Sequence, residues 1–337
     1  MKTNDEKKND ARRLWEICFN DTKAFVDFYF NKVYKDQDTL VRYDENNNAI
    51  GHVQMLPYTL YAWGRNFEAG YISGACTKPE NRKEGVMESL MKEAMVKMKE
   101  RGEMISFLIP ADEYLADYYD KVCSYGRVFF EKTATTLEEV MMAPAEQILP
   151  KGPIDFIMEA EECRSYPHVK HTREQIRLVM EDYKMSNGGM YTFPRNMDHP
   201  TGICFYRVEG DTLYVKDLFG SPSVRTEMLK ELMTLNHCMR LKATVPTGDK
   251  THAFPRGMLR ILDIPEFTRH YALTHNNMTI GFKIRDRQMP ENSGEYYISN
   301  GKLTFKSNLN QEEGISPAAL ARTLFSEDPG FLSLMME

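Results

Sequence analysis

The chain has 337 residues, 42% of them apolar and 27% charged, and its 43 basic and 49 acidic side chains leave a net charge of −6. At roughly 150 residues per domain this is two or three domains with substantial hydrophobic cores, which excludes both a disulfide-stapled mini-protein and a disordered chain. The acidic balance argues against a general affinity for nucleic acid or anionic lipid and suits a cationic substrate better.

Residues 1–13 are polar and charged, lack the apolar core of a secretion signal, and read as a frayed tail. No apolar run approaches the ~20 residues needed to cross a bilayer. Cys18, Cys76, Cys123, Cys163, Cys204 and Cys238 show neither metal-finger spacing nor a paired framework, so they read as free thiols of a cytoplasmic protein. Residues 14–34 carry apolar side chains at helical spacing, broken at Asn20-Asp21-Thr22, which predicts two short helices. Residues 40–43 and 49–61 alternate as strands around the polar run 44–48 and predict a hairpin. A strand over 71–77 stops before Pro79, a helix with one apolar face spans 86–99, and Arg101-Gly102 ends it. Residues 104–109 read as a buried strand and 113–122 as a helix.

The same order returns about 130 residues later, with strands over 203–207 and 212–217, a helix over 224–238 and a strand over 239–245. This predicts an internal duplication of the fold. A third segment, from residue 257, holds an apolar stretch at 258–264, a helix over 265–273, strands near 279–284, 295–299 and 302–305, and a last helix over 317–325. It reads as a small α+β unit.

Thr77-Lys78-Pro79-Glu80-Asn81-Arg82-Lys83-Glu84-Gly85-Val86-Met87 is a basic loop between a strand and the start of an amphipathic helix. A helix start offers free N–H groups and the positive end of the helix dipole, which together suit a phosphate, and Gly85 lets an anion approach the amides. Taken alone, such a loop is more commonly a solvated connection.

In context, residues 71–125 resemble the coenzyme-binding core of the GNAT acetyltransferases, whose loop reads Arg/Gln-x-x-Gly-x-Gly/Ala. Arg82-Lys83-Glu84-Gly85-Val86-Met87 matches it except that Met87 replaces the small last residue. The long chain, the second passage without the loop and the closing segment together resemble the Eis-type family. The resemblance implies an α/β chain of three parts: a catalytic GNAT domain at 1–145, a degenerate GNAT-like domain at 146–256 and a sterol-carrier-protein-like domain at 257–337. It implies acetyl-CoA as co-substrate, with Ala75, Cys76 and Thr77 along the pantetheine arm and Arg82, Lys83, Glu84, Gly85, Val86 and Met87 around the pyrophosphate. The coenzyme would lie where the parallel strands 71–77 and 104–109 splay apart. Because Phe219-Gly220-Ser221-Pro222-Ser223-Val224 lacks the Arg-x-x-Gly arrangement, one coenzyme per chain is expected.

Tyr119-Asp120-Lys121-Val122-Cys123-Ser124-Tyr125 resembles the family's Tyr-x-Lys-Phe-Gly-Phe ending. By that match Tyr119 is the general acid that protonates the departing thiolate, with Tyr118 the neighbouring alternative. A base is less apparent: Asp112 and Glu113 are near in sequence, and the resemblance implies that the C-terminal carboxylate, at Glu337, reaches the site. Cys76 is discounted as an acyl carrier because no histidine adjoins it in sequence and strand cysteines usually fill cores. His168 and His171 come after a proline in a loop-like stretch without a third ligand, so they read as surface residues and no metal is expected. The reading is an N-acetyltransferase acting on a small-molecule or peptide amine, with no nucleic acid or membrane span and a homo-oligomer possible. The rival is a ligand-binding protein whose GNAT part only senses CoA, and an intact loop with Tyr119 favours the enzyme.

Overall fold

Thr3 starts helix α1 (Asn4–Cys18): its hydroxyl accepts from the Glu6 amide at 3.2 Å while the Glu6 carboxylate accepts from the Thr3 amide at 2.7 Å. The N-terminal stretch is therefore helical, in contrast to the frayed tail expected, because Thr3-x-x-Glu6 is a capping box that satisfies the first orphan donors reciprocally. The computed structural model describes residues 2–185, 188–195, 198–247, 252–309 and 312–336. Thr22 caps α2 (Lys23–Phe28) at the expected break, and the chain continues through a π-helical turn, Tyr29–Val33. Strands β1 (Thr39–Tyr43) and β2 (Ala49–Ala62) form the expected hairpin, with Leu40 opposite Val53 and the Asp44 carboxylate accepting from the Asn46 and Asn48 amides in the turn. Then come β3 (Arg65–Thr77), α3 (Val86–Glu100), β4 (Ile105–Leu108) and α4 (Glu113–Lys121), the last capped by Asp112.

The middle of the chain holds β5 (Gly126–Ala134), α5 (Leu137–Met142), α6 (Pro153–Cys163), β6 (His168–Lys170), α7 (Arg173–Met185), β7 (Gly188–Phe193), β8 (Gly202–Glu209), β9 (Thr212–Gly220), α8 (Pro222–Leu235), β10 (Arg240–Val245) and β11 (Phe254–Ile261). The last part holds α9 (Ile264–Thr274), β12 (Thr279–Ile284), β13 (Gly294–Ser299), β14 (Lys302–Ser307) and α10 (Pro317–Leu324). Contacts divide the chain into two units, unit 1 from Met1–Thr59, Trp63–Val128 and Gly257–Glu327, and unit 2 from Leu60–Ala62, Phe129–Arg256 and Asp328–Glu337. Expected boundaries and observed units thus differ: 257–327 packs with the N-terminal part, and 129–145 goes with the middle.

In unit 1 the strand order is β1-β2-β3-β4-β11, with β11 antiparallel to β4 and Met258 opposite Leu108. Val53 and Met55 of β2, Ile72 of β3 and Leu90, Met91, Ala94, Met95 and Met98 of α3 share one core with Ala116, Tyr119 and Cys123 from the α4 region. The opposite face of β2 carries His52 and Gln54, both fully buried on the side where Trp15 and Tyr29 pack. The last segment is stitched to the end of α4. Arg260, fully buried, donates twice to the Asp286 carboxylate at 2.8 Å and once to the Cys123 carbonyl at 3.1 Å, and the Gln288 amide donates to the Val122 carbonyl at 2.6 Å. This explains why 257–327 does not stand apart: β11 supplies β4 with a partner, and a buried ion pair locks the stretch around Asp286 onto the end of α4. Strands β12, β13 and β14 make a separate antiparallel sheet.

In unit 2 the order is β5-β10-β9-β8-β7. The two expected strands, β8 and β9, form a hairpin, and α8 carries the chain over to β10, which pairs parallel to β9 from Thr212↔Arg240 to Val215↔Ala243. Residues 168–171 overturn the expectation of a surface loop. His168 begins a strand and is fully buried, and His171 is buried with its Nδ1 2.7 Å from Glu161 Oε1. Pairing of β6 with β2 and an internal carboxylate partner draw both rings inside. Among the described residues no group of three or more His, Cys, Asp or Glu is placed to hold a metal ion. No helix among them is long and apolar enough to cross a membrane.

Candidate active site

Strands β3 and β4 run parallel but pair only at Ala69↔Ile105, Gly70↔Ser106 and Tyr71↔Phe107. β3 continues to Thr77 while β4 ends at Leu108, so β3 runs on past Tyr71 without β4 as a partner. A break is built into β3 by Gly74, whose φ of +57° favours glycine and whose added Cβ would collide with the Trp15 ring. Across it the side-chain alternation slips, so that Ile72 and Ala75, three apart, pack on the same core. Cys76 is buried, and the Thr77 hydroxyl is buried with no hydrogen-bond partner among the described residues.

Beyond Thr77, Pro79–Asn81 makes one 3-10 turn, Lys83 and Gly85 both take left-handed backbone, and α3 begins. The turn is held by Arg82 Nε donating to the Thr77 carbonyl at 3.2 Å, by a Lys78–Glu80 ion pair at 2.6 Å and by the Asn81 amide donating to Glu84 at 3.3 Å. Gly85 stands at the N-cap with φ +78°, no side chain caps the helix, and a Cβ on Gly85 would meet no atom within 4 Å. The first amides of α3 therefore face open space at the positive end of the helix dipole, while Val86 and Met87 turn partly into the core. These residues fit an anionic phosphate group: open space over a glycine, uncapped amides, and a basic Arg82 and Lys83 at the rim.

Tyr119 lies on the inner face of α4, 7% exposed, edge-on to Tyr118 and Tyr125. Burial pushes its phenol up, so it holds its proton firmly. Tyr118 is less buried and packs at the margin of the same core. The carboxylates around Tyr119 are occupied. Asp112 caps α4, Glu113 pairs with Arg127 at 2.6 Å, Asp117 with Lys121 at 2.9 Å, and Asp120 with Arg322 at 2.5 Å. Neither Asp112 nor Glu113 is placed as a spare base. Glu337 lies outside the described residues. The segment before it is packed within unit 2: the Leu334 amide donates to Asp217 at 2.9 Å, and Arg164 donates to the Ser333 hydroxyl at 2.8 Å.

Three features have no counterpart in the expectations from sequence. His52 of β2 is fully buried with both ring nitrogens unpartnered among the described residues, stacked 6.0 Å from Trp15, and burial pushes its pKa down to about 3. Cys18, at the end of α1, donates to the Thr77 carbonyl at 3.6 Å; the Cys76 thiol beside it and then Arg82 bring its pKa down to about 7. Arg285 and Arg287 join Lys92 of α3 and Lys121 of α4 around an opening of about 580 Å³, with Glu88 and Asp120 as its acidic members. Residues so distant in sequence give no local signal, and only the packing of the last segment on α4 brings them together.

Residues 1–123 match the model of the acetyltransferase (GNAT) domain. Unit 1 is built on a GNAT acetyltransferase domain. That domain makes the protein an acyltransferase. The GNAT match covers α1 through α4 and so includes β3 and β4, the loop and Tyr119. No curated protein matches the chain. Among solved structures, Eis1 from Mycobacterium abscessus is similar with a TM-score of 0.71 at 14% identity, covering 96% of this chain and 88% of that one. A GCN5-related N-acetyltransferase from Kribbella flavida gives 0.71 at 15% identity over 100% and 97%, and one from Anabaena variabilis gives 0.70 at 16% over 95% and 88%. The fold of the whole chain is thus shared with these proteins.

Proposed function

We propose that the GNAT domain moves an acetyl group from acetyl-CoA to the amine of a small molecule or peptide, by direct attack while both are bound. The observation that carries this reading is the stretch of β3 after Tyr71 left unpaired by β4, beside an uncapped helix start with open space over Gly85. Backbone groups of Ala75, Cys76 and Thr77 would take the pantetheine amides, and the loop Arg82, Lys83, Glu84, Gly85, Val86 and Met87 the pyrophosphate. The basic opening with Arg285 and Arg287 supports further phosphate at the α3–α4 end. Tyr119 would give its proton to the leaving thiolate; its raised pKa keeps the phenol protonated and ready as the donor, while transfer to a thiolate of ordinary pKa ~8.5 runs uphill. The Glu337 carboxylate or a water would take the proton from the amine. A cationic acceptor rests on the net charge of −6, since the carboxylates around Tyr119 are already paired.

For the rest of the chain, the parallel pair β9 and β10 joined by α8 repeats β3, α3 and β4, which supports a degenerate GNAT-like middle part. The sterol-carrier-like reading of 257–337 rests on the α+β make-up of α9, β12–β14 and α10. The deciding experiment is a titration of the full chain with acetyl-CoA, then thiol release with an amine panel. Absence of coenzyme binding ends the proposal.

A further inference from the structure

Unit 2 contains a cavity of about 550 Å³, within the range of small-molecule sites. Its floor is one face of the sheet: Glu131 and Thr133 of β5, Tyr214 and Lys216 of β9, Lys242 and Thr244 of β10. The alternate residues Leu213, Val215, Leu241, Ala243 and Val245 belong to the core shared with Met228, Leu229 and Leu232 of α8, so the polar face is the one turned away from that helix. Asp182 and Tyr183 of α7, Arg207 of β8, Arg256, and Leu332 and Met335 of the C-terminal tail complete the walls. The corresponding side of the unit 1 sheet, opposite α3, is filled by Trp15, Tyr29, His52 and Gln54. In unit 2 the same side is hollow and polar.

The charges of the lining decide what it takes. Four basic side chains, Arg207, Lys216, Lys242 and Arg256, face two acidic ones, Glu131 and Asp182, inside a chain whose net charge is −6. Glu131 lies 3.6 Å from Arg256, and burial raises its pKa, which weakens it further as a counter-charge. Lys216 occupies the extra position of a bulge in β9, between Val215↔Tyr206 and Asp217↔Phe205, a device that re-aims a side chain. Its ammonium donates to the Met335 carbonyl at 3.3 Å, which fixes it at the floor of the cavity. Burial lowers its pKa, and an anion beside it would favour the charged form again. Lys242 and Arg207, the latter also donating from Nε to the Glu209 carboxylate at 2.7 Å, stand over the Tyr214 ring, 5.3 and 4.9 Å from its centroid, at the rim.

We propose that this cavity binds a small organic anion, its carboxylate or phosphate held by Arg207, Lys242 and Lys216 and its body lying against Tyr183 and Tyr214. Clefts lined by one sign of charge concentrate ligands of the other, and the tyrosine hydroxyls and rings suit a ligand that is anionic at one end only. None of its lining residues belongs to the coenzyme loop.

The test is calorimetric titration of the full chain with inorganic phosphate, succinate and benzoate, each against sodium chloride at matched ionic strength. At least one should bind one-to-one, Arg207→Ala/Lys242→Ala should weaken it about tenfold or more, and Gly85→Glu should leave it unchanged. Binding of phosphate without the carboxylates identifies the ligand as a phosphate ester; the reverse identifies a carboxylic acid. Coenzyme binding in the double variant should be unaffected, which also shows that it folds. Failure of all three anions to bind beyond chloride, unchanged affinity in the double variant, or loss of binding in Gly85→Glu each overturns the proposal.

Discussion

Gly85 permits the coenzyme assignment to be tested with the conformational and electrostatic contributions separated. Its φ of +78° is left-handed, so any L-residue there pays a strain of about 1–2 kcal/mol, but an added Cβ meets no atom within 4 Å and causes no clash. Gly85→Ala should therefore fold with stability lowered by about that amount, and Gly85→Glu should suffer the same loss. The two differ in charge. A carboxylate placed about 4 Å from a phosphate charge is repelled by about 1 kcal/mol in water and about 4 kcal/mol near a protein surface, which is roughly a fivefold to thousandfold weaker Kd. Calorimetry should accordingly rank affinity for acetyl-CoA as wild type, then Gly85→Ala, then Gly85→Glu, and the gap between the two variants should narrow at 1 M salt, where the screening length is ~3 Å. Equal affinity of Gly85→Glu and Gly85→Ala, or a gap insensitive to salt, would refute a phosphate at this helix start.

Tyr119→Phe should leave coenzyme affinity intact and lower kcat by roughly 10²–10⁴-fold, while Tyr118→Phe changes it little; the reverse pattern in steady-state kinetics would make Tyr118 the acid. Asp286→Ala strips a fully buried guanidinium of its partner and should cost about 3–5 kcal/mol by urea unfolding, whereas Arg260→Met/Asp286→Leu should recover much of it. His52 and His168 have pKa values of about 3 and about 4 in the folded chain, below the ~6.5 of an unfolded imidazole. The unfolded state alone takes up protons between these limits, so stability should be full above pH 6.5 and fall toward pH 3–4, by roughly 3 kcal/mol for His168, and His168→Phe should flatten part of that slope in urea midpoints. Iodoacetamide should alkylate Cys18 with a midpoint near pH 7, and Cys76→Ala should move that midpoint upward.

Legibility in the sequence tracks the range of the signal. The hairpin β1–β2, the helix α3 and the crossover through α8 are written in periodicity and turn residues, and Gly85 announces itself as the position at a helix start where an anion can approach the amides. Thr3-x-x-Glu6 is equally local but is masked by the charge of the first residues. The buried histidines His52, His168 and His171 are illegible because their setting is tertiary: Trp15 and Glu161 reach them from other elements. Likewise, residues 257–264 look like a domain start until β11 is seen to pair with β4, and nothing near Tyr119 in sequence reveals that Arg260 and Gln288 hold the end of its helix.

That pairing of β11 with β4 also governs the order in which the protein can be made. Unit 1 is assembled from segments separated by more than a hundred residues of unit 2, so its sheet lacks an edge until residues 258–261 have left the ribosome. Until then β4, buried along its whole length in the finished fold, exposes an unpaired hydrophobic edge, while all but the tail of unit 2 has already emerged. Interruption of synthesis between residues 128 and 257 would release chains carrying the loop and Tyr119 but an open, adhesive strand. The part of the chain that carries the loop and Tyr119 thus completes its sheet only after most of unit 2 has been made.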